Sequence, residues 1–302
     1  MVPPGFTKLA VWIDPDRDGD LDLYLVNHVP LEAPTQLLLN DGTGRFTAAP
    51  ELGLDLEMQG MGFDSADLNG DGAPEYALAG LQEIAILESQ PGGWARIDLA
   101  AGVRPSEDPT RWSAWSSAWV DLDNDGVVEL HAGFGPRDGD HPGEPVLQPD
   151  ALYRRGADAQ FVQVAEAWGL AQDANDRAVA FVDLDRDGWL DAIKRAERGP
   201  ATLHRARCGE EGWLQVDLRG PAGNPHGIGA SVTVEAEGLR AQTRWITAQG
   251  PGYLANQPPE AHFGLGGNAV AQRLVVSWPD GARSVFTSVA GSQSVTVLYP
   301  DG

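Results

Sequence analysis

The segment DLDRDGWLD, residues 183 to 191, places carboxylates at its first, third, fifth and ninth positions and glycine at its sixth. Alternate oxygen donors ahead of a residue that permits a sharp reversal can wrap a hard cation. The pattern occurs three more times, as DPDRDGDLD from Asp14, DLNGDGAPE from Asp67 and DLDNDGVVE from Asp121. Positions 1, 3, 5 and 9 are Asp14, Asp16, Asp18 and Asp22 in the first loop, and Asp67, Asn69, Asp71 and Glu75 in the second. They are Asp121, Asp123, Asp125 and Glu129 in the third, and Asp183, Asp185, Asp187 and Asp191 in the fourth. Position 6 is Gly19, Gly72, Gly126 and Gly188. Position 7 is Asp20, Ala73, Val127 and Trp189, a freedom of side chain that suits a ligand acting through its backbone carbonyl.

Calcium fits this donor set, with up to four ions per chain. It takes six to eight oxygens in loose geometry, whereas magnesium suits all-protein cages poorly. Zinc would call for His or Cys, and none occupies a ligand position. An EF-hand would need a bidentate acid at position 12, where Leu25, Leu78, Ala132 and Lys194 stand. The competing explanation is that Asp and Gly simply make good turns; four copies at one spacing weigh against it. At about 1 mM calcium, a site of roughly 0.1 mM affinity contributes about 1.4 kcal/mol, and four contribute about 5 to 6. Such sites would stand empty at sub-micromolar calcium, so the expected location is extracellular or periplasmic.

Elements must hold these loops in place. The loop starts are 53, 54 and then 62 residues apart, a period that marks one supersecondary unit per repeat. Short apolar segments flank each loop, as in LAVWI before the first and LDLYLV after it. Their length and their Gly and Asp boundaries predict strands. A second strand pair follows around a turn, clearest in QLLLNDGTGRFTAA. Four strands per unit is the content of a propeller blade, so the expected fold is all-β, with four recognisable β-propeller-type units.

The chain has 302 residues and a formal charge of −23, with 44 acids against 21 basic residues. That surface repels phosphate backbones and argues against nucleic acid as a partner. No run of about 20 apolar residues suggests a membrane span. The lone cysteine, Cys208, allows no internal disulfide and reads as a passive thiol. Among Trp112, Trp115 and Trp119, the last two can share one strand face, and core packing is preferred over carbohydrate stacking. His226 and His262 are expected in structural turns. His28, His131 and His141, with the insert at residues 135 to 145, are candidates to line a binding face.

The four loops resemble those of FG-GAP (VCBS-type, integrin α-like) repeats. That resemblance implies β-propeller blades with calcium in the hairpin between the first strands. From about Trp213 the acidic loops stop and strands alternate with Gly/Pro turns, predicting a small β-sandwich-like domain. NPHGIGASVTV, GYLANQ, HFGLG and SWPDG, in that order, resemble the ASPIC/UnbV domain. FG-GAP repeats followed by ASPIC/UnbV is the layout of the cartilage acidic protein family. The expected division is therefore residues 1–208 for the repeats and 209–302 for the C-terminal domain. The chain opens almost directly on the first strand of its first unit, which suggests a truncated or shortened start. The resemblance implies a calcium-binding extracellular module for an unknown protein or carbohydrate ligand. The alternative is a calcium-stabilised enzyme with its active site on the propeller face or at the domain junction. No convergent catalytic set is visible, which favours the first.

Overall fold

The chain is described by a computed structural model covering residues 6–104, 113–136, 148–197, 199–206, 209–253 and 255–300. Trp112, His141, Cys208 and residues 137 to 145 of the insert lie outside the described residues. The fold is all-β: β-propeller-type units followed by a small sandwich.

Unit 1 is the antiparallel sheet of β1 (Thr7–Ile13), β2 (Asp22–Asn27), β3 (Gln36–Asn40) and β4 (Phe46–Ala48). Unit 2 repeats it with β5 (Gly60–Ala66), β6 (Glu75–Gly80), β7 (Glu83–Gln90) and β8 (Gly93–Arg96). Unit 3 uses β9 (Ala114–Val120), β10 (Glu129–Phe134), β12 (Ala151–Arg155) and β13 (Phe161–Gln163). The two-residue strands β11 (Gln148–Pro149) and β14 (Asp173–Ala174) pair outside it. Unit 4 has three strands, β15 (Asp176–Val182), β16 (Asp191–Ala196) and β17 (Ala201–His204). Each nine-residue loop joins the first two strands of its unit, as the sequence predicts.

The strands that border the loops read as apolar runs because neighbouring units cover both their faces. β6, β9 and β10 are buried along their whole length, the pattern of strands with no solvent side. β5 packs on β1 and β2, β9 on β5 and β6, and β15 on β9 and β10, while units 1 and 4 share no comparable contact among the described residues. Three clusters fill the gaps between units. Tyr24, Phe63 and Tyr76 sit between the first pair, Ile86, Leu130 and Phe161 between the second, and Leu152, Val179 and Phe181 between the third. Each of these large side chains contributes about 1.5 to 3 kcal/mol by leaving water. Trp115 and Trp119 are buried, as core packing requires.

His131 departs from expectation. It lies on β10, fully buried against Phe181, and so cannot line a binding face. Its Nε2 lies 3.2 Å from Asp150 Oδ2, which also receives Lys194 Nζ at 2.7 Å; Asp176 lies 3.2 Å from the same ammonium. Burial pushes the Asp150 carboxyl up, but His131 and Lys194 outweigh it and leave it below the ordinary carboxylate range. This buried ionic set ties unit 3 to unit 4.

The C-terminal part comprises β18 (Gly212–Arg219), β19 (Ser231–Glu235), β20 (Gln242–Trp245), β21 (Glu260–Gly266), β22 (Val270–Ser277), β23 (Arg283–Ala290) and β24 (Gln293–Leu298). They form two sheets, ordered β21-β18-β24 and β20-β19-β22-β23. Leu214, Val216, Val232, Phe263, Leu274 and Trp278 belong to the core that joins these strands. β21 was not expected, because HFGLG reads as a turn; His262 is on this strand, whereas His226 lies in a turn. The glycine has a packing reason: a Cβ on Gly264 would collide with Asp121 and Asn124 of the third loop. β20 packs on β5, and residues 251 to 253 run beside β9, with Ser117 N–H donating to the Pro251 carbonyl and Tyr253 N–H to the Trp115 carbonyl, both at 2.9 Å.

Candidate metal centres

Each loop folds on its own side chains. The position 6 N–H donates to the position 1 carboxylate: Gly19 to Asp14 at 3.2 Å, Gly72 to Asp67 at 2.9 Å, Gly126 to Asp121 at 2.9 Å and Gly188 to Asp183 at 2.8 Å. The position 7 N–H donates to position 5: Asp20 to Asp18, Ala73 to Asp71, Val127 to Asp125 and Trp189 to Asp187, at 2.7 to 3.0 Å. Position 6 glycines have φ between 77° and 93°, which supplies the reversal. Position 4 is also left-handed, at Arg17, Gly70, Asn124 and Arg186. Gly and Asn suit that conformation, but the two arginines masked the signal in the sequence.

Carboxylate oxygens converge in three of the four loops. Ligand atoms of Asp14, Asp16 and Asp18 lie within 4.8 Å of one another, as do those of Asp121, Asp123 and Glu129, and those of Asp183, Asp185 and Asp187. Buried oxygens without a hydrogen-bond partner test the fit to a cation. Asp14 Oδ1, Asp22 Oδ2, Asp121 Oδ1, Glu129 Oε1 and Asp191 Oδ2 are all of this kind. They occupy positions 1 and 9, and an uncompensated buried carboxylate oxygen is costly. A divalent cation would satisfy them, so the residues of loops 1, 3 and 4 fit one.

Loop 2 differs through Asn69. Its Nδ2 donates to Asp71 Oδ2 at 3.2 Å and to Glu75 Oε1 at 3.4 Å. Both Asp67 oxygens accept backbone N–H groups, and Glu75 receives Leu68 N–H and Ser89 Oγ. The amide thus stands between carboxylates that elsewhere face one another.

Crowding of acids shows in their protonation. Burial, reinforced by Asp16 and Asp18, pushes Asp14 up to about 6. Asp22 and Asp121 rise to about 7, and Glu75 to about 7, each chiefly by burial. Glu129 rises to about 9, through burial and then Asp123 and Asp121. Two arginines that sequence reasoning missed relieve the outer carboxylates. Arg154 pairs with Asp125 and reaches Asp123 at 3.2 Å; Arg205 pairs with Asp185 and lies 3.5 Å from Asp191 Oδ1. Both lie on or just past the third strand of their unit, where spacing from the loop gave no cue.

Loop 3 also touches the C-terminal sheets. Gly264 N–H donates to Asp121 Oδ2 at 3.1 Å. Asn124 Nδ2 donates to the Gly188 carbonyl of loop 4 at 2.9 Å, and its Oδ1 lies 2.7 Å from His262 Nε2. Beside this contact a cleft of about 110 Å³ is lined by Asp64, Trp119, Arg244 and His262. Burial pushes Asp64 up to about 7 and His262 down to about 3.

The fold is all-β, with an acidic loop of one spacing between the first two strands of each repeated unit. Residues 14–78 match the family described as FG-GAP-like repeat, and residues 220–302 the family described as ASPIC and UnbV. Among individual proteins, the chain is similar to cartilage acidic protein 1 of Mus musculus and of Homo sapiens, at 28% identity over 279 residues in each case. Its identity to the Xenopus tropicalis protein of that name is 29% over 288 residues. These alignments cover 88% of this chain but only 40 to 42% of the relatives, so the chain spans about two fifths of their length. Among solved structures, a luciferin-regenerating enzyme aligns at 14% identity and a TM-score of 0.35, covering 95% of this chain and 90% of that one. The V. cholerae biofilm matrix protein Bap1 aligns at 11% and 0.30, covering 95% and 60%. Both superpose too loosely to bear on fold or function. No helix among the described residues is long and apolar enough to cross a membrane.

Proposed function

We propose that the chain is a calcium-binding extracellular β-propeller-type protein that acts as an interaction module, with the division at residues 1–208 and 209–302. The observation that carries this reading is the set of buried, unpartnered carboxylate oxygens at positions 1 and 9 of the loops. Calcium would be held by the acids at positions 1, 3, 5 and 9 and the position 7 carbonyl, and would supply charge neutralisation within each hairpin. The protein's own residues shape the loop beforehand through the backbone donors to positions 1 and 5 that all four loops share. An extracellular location supplies calcium at the level such sites need, and the similarity to cartilage acidic protein 1 supports it. The ligand, protein or carbohydrate, would meet surfaces away from these acids.

The enzyme alternative draws on the cleft beside His262, at the proposed domain junction. Its perturbed carboxyl and imidazole are what an acid–base site would use. Against it, the imidazole is already held by Asn124, and about 110 Å³ has room only for a very small substrate. The binding-module reading is therefore preferred. Asp187→Ala tests it: bound calcium, counted by mass spectrometry on the native protein, falls by one ion while the other loops stay filled. An unchanged count removes loop 4 from the metal sites.

A further inference from the structure

The fourth strand of a unit lies in a slot with three walls. These are the free edge of the third strand, positions 8 and 10 of the unit's own loop, and the turn by which the preceding unit exits. In unit 2 the slot holds β8. Trp94 Nε1 donates to the carbonyl of Pro74, position 8, at 3.0 Å, and its ring lies 5.7 Å from that of Tyr76, position 10. Ile97 N–H, just past β8, donates to the Ile86 carbonyl at 2.8 Å. In unit 3 the slot holds β13, where Phe161 N–H reaches the Ala101 carbonyl of the exit turn and Val164 N–H the Leu152 carbonyl, both at 2.7 Å. Unit 1 repeats the second bond, from Ala49 N–H to the Leu37 carbonyl at 3.1 Å.

In unit 4 the walls stand with no strand between them among the described residues. Leu203 is the counterpart of Leu37, Ile86 and Leu152, because each pairs with the eleventh residue from its loop start: Ile193, Tyr24, Ala77 and His131 in turn. No described residue donates a backbone bond to the Leu203 carbonyl, and the residue is 51% exposed. Leu190 and Ala192, positions 8 and 10, line a cavity of about 610 Å³ together with Trp168, Leu170 and His204. His204 Nε2 is buried there without a hydrogen-bond partner.

The exit-turn glycines say the same independently. Gly53, Gly102 and Gly169 have φ of 78°, 86° and 74°. A Cβ on Gly53 would run into the Trp94 carbonyl, and one on Gly102 would lie 3.1 Å from the Phe161 carbonyl. A Cβ on Gly169 would meet no described residue within 4 Å.

We propose that this slot binds an extended segment of a partner polypeptide, which adds to unit 4 as its fourth strand. The strands that fill the other slots define the chemistry of the occupant. FTA, GWAR and FVQ each carry an aromatic residue at the first or second place and no acid. Main-chain bonds to the β17 edge hold such a segment, and the pocket over Leu190 and Ala192 takes its ring. Glu166 and Asp123 in the walls, and the charge of −23, select against an acidic segment. This inference deepens the interaction-module reading and rests on it.

The test is titration of a labelled peptide copying residues 159–164, AQFVQV, into the calcium-loaded chain, followed by fluorescence anisotropy. Saturable binding is expected, at least tenfold weaker for the peptide with Phe161→Asp. It is also at least tenfold weaker for the chain with Gly169→Asn, whose side chain would occupy the slot in a backbone conformation that asparagine tolerates. Leu203→Glu, an exposed change on the same edge, gives a second variant with the same expectation should Gly169→Asn fail to fold. No binding, equal binding of the two peptides, or equal binding by wild-type and folded variants overturns the proposal. A concentration-dependent dimer that Gly169→Asn abolishes would assign the slot to a second copy, which also overturns it. Calcium counted on the same samples separates the two readings. Peptide binding without calcium leaves the slot standing and removes the calcium module; calcium without peptide binding does the reverse.

Discussion

At the scale of single residues, the loops show why types and spacing are legible while partners are not. Positions 1, 3, 5, 6 and 9 lie within nine residues, so their convergence is local and follows from the turn that Gly19 or Gly188 permits. Arg154 and Arg205 come from 20 or more residues away and were missed, because nothing near either one in the sequence points back to the loop. Asn69 was legible as the one non-acid at a ligand position, but not its bridging of Asp71 and Glu75. Replacing it tests how far one amide weakens a site. Asn69→Asp is expected to tighten calcium at loop 2 by about tenfold, since it adds a charged oxygen ligand and removes two competing donors. Calorimetric titration would show it as a weak class of site joining the tighter ones; an unchanged isotherm contradicts the assignment.

At the scale of elements, the short apolar runs and the period near 53 residues were enough to place every loop between two strands. They were not enough for β21, whose glycines break the alternation for the sake of contact with loop 3. Nor did they reveal that unit 4 has three strands among the described residues, since nothing in the spacing sets it apart from the other units. His131 was misplaced because a polar residue after a loop reads as exposed, whereas Asp150, itself paired with Lys194, supplies its buried partner from another strand's edge. The hairpins also carry a pH signature. Their carboxyls have folded pKa values raised from 3.8 or 4.5 to about 6 at Asp14, about 7 at Asp22 and Asp121, and about 9 at Glu129. In the metal-free fold these carboxyls therefore bind more protons than in the unfolded chain, and their contribution to stability is full below about pH 4 and lost as pH rises through 6 to 9. Calcium needs the ionised acids, so its stabilising effect grows over that window. Thermal unfolding in chelator should give a falling midpoint from pH 5 to pH 9, and a widening gap to the calcium-loaded protein. A gap that narrows with pH contradicts this account.

At the scale of the whole molecule, the loops join more than their own strands. Asn124 connects loop 3 to the Gly188 carbonyl of loop 4 and to His262 on β21, while Gly264 N–H reaches Asp121. The C-terminal sheets therefore rest on the same hairpins that gather the carboxylates. Asn124→Ala is expected to raise amide hydrogen exchange in both β21 and loop 4 while leaving unit 1 unchanged. Exchange altered at loop 3 alone would show the two contacts to be independent. None of this coupling was visible in the sequence, where residues 124 and 262 are separated by more than a hundred others. On the proposed reading, the acidic hairpins bind calcium and are held together by it. The most direct measurement is a calcium count by native mass spectrometry, paired with thermal unfolding in calcium and in chelator. Three ions or more per chain and a lower midpoint in chelator are predicted; no bound calcium with an unchanged midpoint would contradict it.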